Sequence, residues 1–178
     1  GNVTLYAKWT VRTVFPTEVT PVDPIRLSPF MRFKAEDYDA TRKVWNDSSG
    51  NSRNTSLVRG SPSVITTTTE NGNSKTFRVV SGGTADGIKF NNPTFSNGTY
   101  TLITVARYSG AAKQRIFDGD GDNYLHGFFN GASGVAHHNA WVTSQGDVHG
   151  NNWVLGTSFA SNYRSNGTSR GTSGGLSL

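Results

Sequence analysis

Hydrophobic and polar residues alternate over short stretches of this chain, as they do in β-strands that bury one face. Apolar residues do not keep the i, i+3, i+4, i+7 spacing for three turns anywhere, so no helix is predicted. Turn-forming clusters of Gly, Asn, Asp and Ser separate the alternating stretches. Strands are predicted at 31–35, 63–69, 76–80, 87–90, 100–108, 114–117, 124–129, 135–142, 152–159 and 162–164. We therefore expect an all-β fold in which two antiparallel sheets face each other.

The pattern divides the chain into three regions. Residues 1–10 alternate like a half-buried strand. Residues 11–30 contain four prolines, a density that is incompatible with a central strand or a helix interior. We interpret that region as a Pro-rich linker and expect the main domain to span residues 31–178.

Composition and charge exclude several classes of protein. The 178 residues carry a net charge of +5 and include no cysteine, which excludes disulfides and thiolate metal sites. The basic residues are scattered rather than clustered, and this argues against nucleic-acid binding. No run of about 20 apolar residues is present, so no membrane span is predicted in this segment. The N-terminus lacks the pattern of a secretory signal, and we expect the sequence to be an interior piece of a longer polypeptide.

Two groups of residues resemble known protein families. Residues 1–9, GNVTLYAKW, resemble the closing strand of a Listeria–Bacteroides-type repeat, a small β module found in tandem in surface proteins. Three stretches, at 44–51, 98–107 and 163–167, resemble the concanavalin A-like lectin/glucanase superfamily in its laminin G-like branch. That resemblance implies a two-sheet antiparallel jelly-roll sandwich. It also implies a further strand after the last stretch, so we expect the domain to be incomplete at its C-terminus.

The residues needed for glycoside hydrolysis are missing. Some members of that superfamily hydrolyse glucans through a Glu-x-Asp-x-x-Glu strand, whose two carboxylates act as nucleophile and as acid and base. The glutamates of this chain are Glu18, Glu36 and Glu70, and none belongs to such a strand. No helix is predicted that would support a serine nucleophile elbow. We therefore predict no catalytic residues and a protein that is not an enzyme.

The most acidic stretch is Asp118-Gly119-Asp120-Gly121-Asp122-Asn123, which we call the acidic loop. Oxygens of Asp118, Asp120, Asp122 and Asn123 have the hard character that calcium prefers, and they form our candidate calcium site. The loop is not an EF-hand, because Gly is missing at its sixth position and Glu at its twelfth. Many laminin G-like domains bind calcium at a rim loop, which adds support. The alternative is a hairpin loop that needs no ion, since Asp, Gly and Asn supply turn geometry by themselves.

Histidine and aromatic residues are concentrated in the segment that follows. If a five-residue loop joins the strands predicted at 124–129 and 135–142, His126 lies opposite His138 on one face. Two histidines are too few for a zinc site, and we expect them to be solvated or hydrogen-bonded. Strand alternation places His137 and Asn139 on the same face as Trp141, and a face of this mixed character suits a sugar. The predicted ligand-binding residues are therefore Trp141, His137 and Asn139.

Five Asn-x-Ser/Thr sequons begin at Asn2, Asn46, Asn54, Asn97 and Asn166. The last four lie in turn-rich segments and are the predicted glycosylation sites. Together these features predict a non-catalytic, extracellular recognition or adhesion module at a cell surface, which binds carbohydrate and sits beside neighbouring domains. The alternative is a structural domain of a cell-surface or appendage glycoprotein without a small ligand. Both functions stay open, because a fold by itself does not determine function.

Overall fold

A computed structural model describes residues 28–68, 75–91, 100–121, 123–159 and 162–172. In these ranges the regular structure consists of antiparallel strand pairs and one short 3-10 helix, Ala35–Asp37. The prediction of an all-β chain with antiparallel sheets is confirmed. No helix in the described part of the chain has the length and apolar content that a membrane crossing requires.

The chain divides into two compact units, Gly1–Asn92 and Pro93–Leu178. The strand predicted at 1–10 and most of the linker predicted at 11–30 lie outside the described residues. The strand predicted at 31–35 is wrong, because the backbone N–H of Arg32 donates to the Asp47 carboxylate, at 2.9 Å, instead of to a neighbouring strand.

Among the residues that the structure describes, the first unit contains three two-stranded antiparallel sheets. Its strands are β1 (Tyr38–Asp39), β2 (Val44–Trp45), β3 (Leu57–Arg59), β4 (Ser63–Thr68), β5 (Thr76–Ser81) and β6 (Gly87–Lys89). β1 pairs with β2, β3 with β6, and β4 with β5. Aromatic rings form its centre: Phe33 lies 4.9 Å from Phe90 and 5.7 Å from Trp45, between ring centroids. These strands are too short to bury a large core, so contacts between loops carry much of the organisation.

The Asp86 carboxylate holds two loops of the first unit together. Asp86 accepts hydrogen bonds from the backbone N–H groups of Ser61, at 2.8 Å, and Gly83, at 2.6 Å. These bonds tie the β3–β4 connection to the segment between β5 and β6. Gly60 makes the approach possible: its φ is +69°, and a Cβ there would lie 1.9 Å from Asp86 Oδ1. A side chain at position 60 is therefore excluded both by the backbone conformation and by space.

The second unit has longer strands. They are β7 (Thr101–Ala106), β8 (Tyr124–Phe129), β9 (Ala132–His138), β10 (Val154–Phe159), β11 (Asn162–Ser165) and β12 (Thr168–Thr172). β12, β11, β10 and β7 form a four-stranded sheet in that order, and β8 and β9 form a hairpin that contacts β10 and β11. The strand predicted at 114–117 is absent. Backbone pairing with β8 begins where the His126 N–H donates to Phe117 O and continues at the Asp118–Leu125 bridge.

The hairpin and the sheet bury a dense core. Phe128, Val154 and Tyr163 are fully buried, and the Phe128 ring packs edge-on against Tyr108 at 5.0 Å. On β10, buried Ser158 alternates with exposed Phe159, as the two-residue period of a strand requires.

Two hairpins of the second unit, β8–β9 and β11–β12, turn at an Asn-Gly pair. The turn predicted at Asn166-Gly167 is confirmed, with φ of +48° and +80°. The five-residue loop expected at 130–134 is wrong, because Asn130-Gly131 makes a two-residue turn with φ of +44° and +91°. Asn and Gly tolerate positive φ at little cost, so the shorter turn suits the twist of the strands better.

Candidate functional site

Three partly exposed rings of the second unit form a cluster that we call the platform: Phe129, His137 and Trp141. The ring centroids of Trp141 and His137 are 5.1 Å apart, and those of Trp141 and Phe129 are 5.5 Å apart. Both neighbours meet the indole edge-on, with interplanar angles of 87° and 71°. The platform therefore fixes the position of the indole while part of it stays accessible to solvent.

The structure brings Trp141 and His137 together by a route that the sequence pattern did not predict. β9 ends at His138 instead of continuing to residue 142, and Asn139, with a φ of +57°, begins a bend. The chain then returns so that Trp141 forms an antiparallel bridge with His137. The two rings share a face because they are bridge partners, whereas Asn139 lies exposed at the bend.

The acidic loop is held by an arginine. One terminal nitrogen of Arg115 lies 2.7 Å from Asp118 Oδ1 and the other lies 2.8 Å from Asn123 Oδ1. Asp118 and Asn123 are thus joined by a guanidinium of the chain itself. Asp122 lies outside the described residues, and within the described ranges no group of three or more His, Cys, Asp or Glu side chains is arranged to hold a metal. The calcium site remains a prediction, and the arginine supplies the offsetting positive charge that three neighbouring carboxylates need.

The acidic loop and the platform are parts of one surface. The backbone oxygen of Asn123 accepts hydrogen bonds from His137 Nδ1, at 2.7 Å, and from the Asn139 N–H, at 3.1 Å. The Arg115 guanidinium carbon lies 5.6 Å from the centre of the Phe129 ring. Because a carbonyl oxygen only accepts, Nδ1 of His137 is the donor, and in the neutral tautomer with the proton on Nδ1 the other ring nitrogen, Nε2, keeps a lone pair.

Sequence reasoning missed two residues of this surface, Arg115 and Phe129. Phe129 was assigned to a strand without a role, and the β-bulge between Gly127 and Phe128 redirects the end of β8. A bulge of this kind changes which face a side chain occupies, and strict alternation does not foresee it. Arg115 lies in a segment without regular structure, and no periodicity signals its contacts.

Two other histidines are buried, and their predicted pairing is wrong. The two-residue turn sets His126 opposite Ala136 and His138 opposite Tyr124. His126 is fully buried and hydrogen-bonds Ser158 Oγ, at 2.8 Å, and Thr104 Oγ1, at 3.0 Å. His138 stacks on the Tyr124 ring at 4.6 Å, and neither of its ring nitrogens has a hydrogen-bond partner among the described residues.

Burial keeps both imidazoles neutral. Desolvation, with a smaller contribution from the nearby His138, lowers the pKa of His126 to about 3. Desolvation and the neighbouring His137 lower the pKa of His138 to about 4. The same desolvation raises the pKa of Tyr124 and of Tyr163 above its ordinary value. These groups form a polar interior that carries no charge at neutral pH.

A serine and a histidine meet elsewhere in this unit, in a buried network. Ser165 Oγ lies 2.9 Å from His149 Nε2 and accepts a hydrogen bond from Arg170 Nε at 2.6 Å. Ser165 is fully buried, so its hydroxyl is closed to a substrate. The Gly-x-Ser-x-Gly pattern also occurs, at 167–171 and 171–175. Ser169 in the first of these belongs to β12 rather than to a strand-to-helix turn, which a nucleophile elbow requires.

The predicted glycosylation sites differ in their side-chain contacts. Asn46, Asn54 and Asn166 are exposed, and Asn97 lies outside the described residues. The carboxamide nitrogen of Asn46 donates to Asp37 O at 3.0 Å, and that of Asn166 donates to Trp153 O at 3.1 Å. Asn54 uses its oxygen, which accepts the N–H of Asp47 at 2.9 Å. Because a glycan is attached to the nitrogen, Asn54 accommodates it with the least change.

Comparison of the chain with protein-family models, with curated proteins and with solved structures found no match.

Proposed function

We propose that this chain is a non-catalytic, extracellular recognition module that binds a carbohydrate through the platform of the second unit. The supporting observation is the Trp141 indole, which is flanked edge-on by His137 and Phe129 and is only partly buried. A fixed indole offers a flat apolar surface to the C–H face of a sugar ring without a large loss of side-chain entropy.

Polar groups beside the platform suit the hydroxyl groups of a sugar. The carboxylate of Asp118 is half exposed, and His137 keeps a lone pair on Nε2. Binding sites of this kind combine an apolar surface with a few placed polar groups that set orientation. The acidic loop and the aromatic rings thus act together in one site.

The proposal extends to fold and location. A four-stranded sheet with a packed hairpin is compatible with the jelly-roll sandwich that the family resemblance implies. The exposed sequons at Asn46, Asn54 and Asn166 support a cell-surface glycoprotein.

A structural role in a longer surface protein is the second candidate. Exposed apolar side chains lie on one face of the four-stranded sheet, where Ile103 is 54% and Val105 is 46% exposed and where Phe159 continues the row. Apolar side chains grouped on a surface are typical of a face that packs against another domain.

Glycan binding by a Trp141 variant distinguishes the carbohydrate-binding function from the structural role. We expect the parent chain to bind members of a glycan array and Trp141→Ala to weaken that binding at least about tenfold, because one stacked ring contributes roughly 1.5 kcal/mol or more. Phe159→Ala is the matched control, since it removes an exposed ring away from the platform. Unchanged binding by Trp141→Ala would exclude the platform as the site. If the parent chain binds no glycan of the array, the structural role is favoured.

A further inference from the structure

The segment that carries the platform has a net charge of opposite sign to that of the chain as a whole. Segment 113–141 holds two basic residues, Lys113 and Arg115, and three acidic ones, in a chain with a net charge of +5. An anionic ligand attracted by the chain as a whole would therefore meet a locally negative region at the platform.

The arginine in this region is already engaged. Arg115 directs one terminal nitrogen to Asp118 and the other to Asn123, at 2.7 and 2.8 Å. Recognition of a sugar carboxylate or sulfate ordinarily uses the two-pronged edge of a guanidinium. Here that edge faces side chains of the acidic loop, so an acidic sugar would have to displace Asp118.

The groups that remain at the rim accept hydrogen bonds. Asp118 Oδ2 has no hydrogen-bond partner in the described part of the chain, and the Asp118 side chain is 50% exposed. In the neutral tautomer of His137, Nε2 is a second acceptor, because Nδ1 donates to Asn123 O. A sugar hydroxyl can donate to both groups, whereas an ionised carboxylate or sulfate has no proton to offer.

Resting on the proposed function, we infer that the platform selects uncharged, hydroxyl-bearing sugars over acidic ones, and that the Asp118–Arg115 pair is the device that excludes the acidic class. The Asp118 carboxylate neutralises the Arg115 guanidinium, which lies 5.6 Å from the centre of the Phe129 ring, and the acidic loop repels a further negative charge.

Neutral oligosaccharides and their uronic acid counterparts of equal length are the probes for this inference. Tryptophan fluorescence measures the affinity of the parent chain for each sugar. At low ionic strength the neutral sugars should bind at least about fivefold more tightly than the uronates. The difference should shrink at high salt, because screening weakens the repulsion.

Asp118→Asn provides the sharper test. Loss of the carboxylate removes the repulsion and frees one edge of Arg115, but it also takes the Oδ2 acceptor away from the hydroxyl groups of both series. The ratio of uronate affinity to neutral-sugar affinity should therefore rise about threefold or more, while the neutral sugars bind more weakly than they do to the parent chain. Glu36→Gln is the matched control, since it removes the same charge from an exposed residue outside the platform. This control should leave the preference unchanged.

The outcomes distinguish the inference from the proposed function. Trp141-dependent binding that prefers uronates, or a preference that Asp118→Asn does not alter, would overturn the inference and leave the sugar site standing. Failure of the parent chain to bind any member of either series would overturn both.

Discussion

The two units of this chain accommodate their polar and ionisable side chains in different environments. In the first unit, carboxylates at the surface hold loops through backbone N–H groups, and the strands are two to six residues long. In the second unit, longer strands bury histidine, serine and tyrosine side chains in the interior. The first arrangement depends on charged groups that remain charged, and the interior of the second unit depends on ionisable groups that remain neutral. A charged carboxylate, Asp147, also accepts the N–H groups of Ser133 and Gly150 in the second unit.

This difference predicts that the two units lose stability in different ranges of acidic pH. Burial raises the pKa of Asp47, but hydrogen bonds from Arg32, Ser49 and Arg53 outweigh it and lower the pKa overall. The Asp47 contribution to stability is therefore present above its unfolded pKa and is lost only in strong acid. The pKa values of His126 and His138 are lowered by burial. Their neutral state becomes costly as soon as the pH falls below the unfolded pKa of about 6.5.

The largest expected effect is selective destabilisation of the second unit at mildly acidic pH. With folded pKa values of about 3 and about 4, each buried histidine costs about 2 kcal/mol of unfolding free energy at pH 5 relative to neutral pH. Native-state hydrogen exchange, followed separately for β8 and β10 and for β3 and β5, measures the two units in the intact chain. Equal loss of protection in both units would contradict the comparison.

His138→Phe sharpens this test. The ring stack on Tyr124 is retained, and a group without a hydrogen-bond partner among the described residues is removed. At pH 5 the second unit of the variant should lose only about half as much unfolding free energy as the second unit of the parent chain. An unchanged pH profile would show that His138 is not one of the groups responsible.

The next largest effect is expected from Gly156→Ala on β10. A Cβ at this position would lie 2.6 Å from His126 Nε2 and 3.0 Å from Thr104 Oγ1. The methyl group should therefore displace the buried imidazole from its hydrogen bonds and cost about 2–3 kcal/mol. Gly146→Ala is the control, because a Cβ at Gly146 has no neighbour within 4 Å. Urea unfolding that finds the two variants equally stable would contradict the packing around His126.

The smallest effect is expected in the first unit, from Asp47→Asn. The Asp47 carboxylate accepts bonds from the Arg32, Ser49 and Arg53 N–H groups at 2.9, 2.9 and 3.0 Å. The carboxamide of Asn has an NH2 group in place of one oxygen, and this donor faces some of the same N–H groups. The expected loss of unfolding free energy is about 1–2 kcal/mol. Faster exchange of amides in residues 47–53, with β8 and β10 unaffected, is the predicted result. An effect that extends to the second unit would mean that the units do not unfold independently.

Local pattern was sufficient to predict the class of fold and much of the strand arrangement. Short stretches bounded by turn residues signalled β4, β5, β7, β8 and β10. In β7 and β10 the exposure of the side chains alternates with a period of two, whereas the first five residues of β8 are all buried. The Asn-Gly turn at 166–167 followed from the tolerance of those residues for positive φ. The same reasoning selected Trp141 and His137, which the structure places side by side.

Only the tertiary structure decided what those residues contact. A two-residue turn in place of a five-residue loop changed the partners of His126 and His138, because a shift of register alters every cross-strand pair. The bend at Asn139, the bulge before Phe128 and the reach of Arg115 to Asp118 depend on segments distant in sequence. Sequence periodicity reports which side of a strand is apolar, whereas the meeting of the acidic loop with the aromatic rings depends on how the loops close in three dimensions.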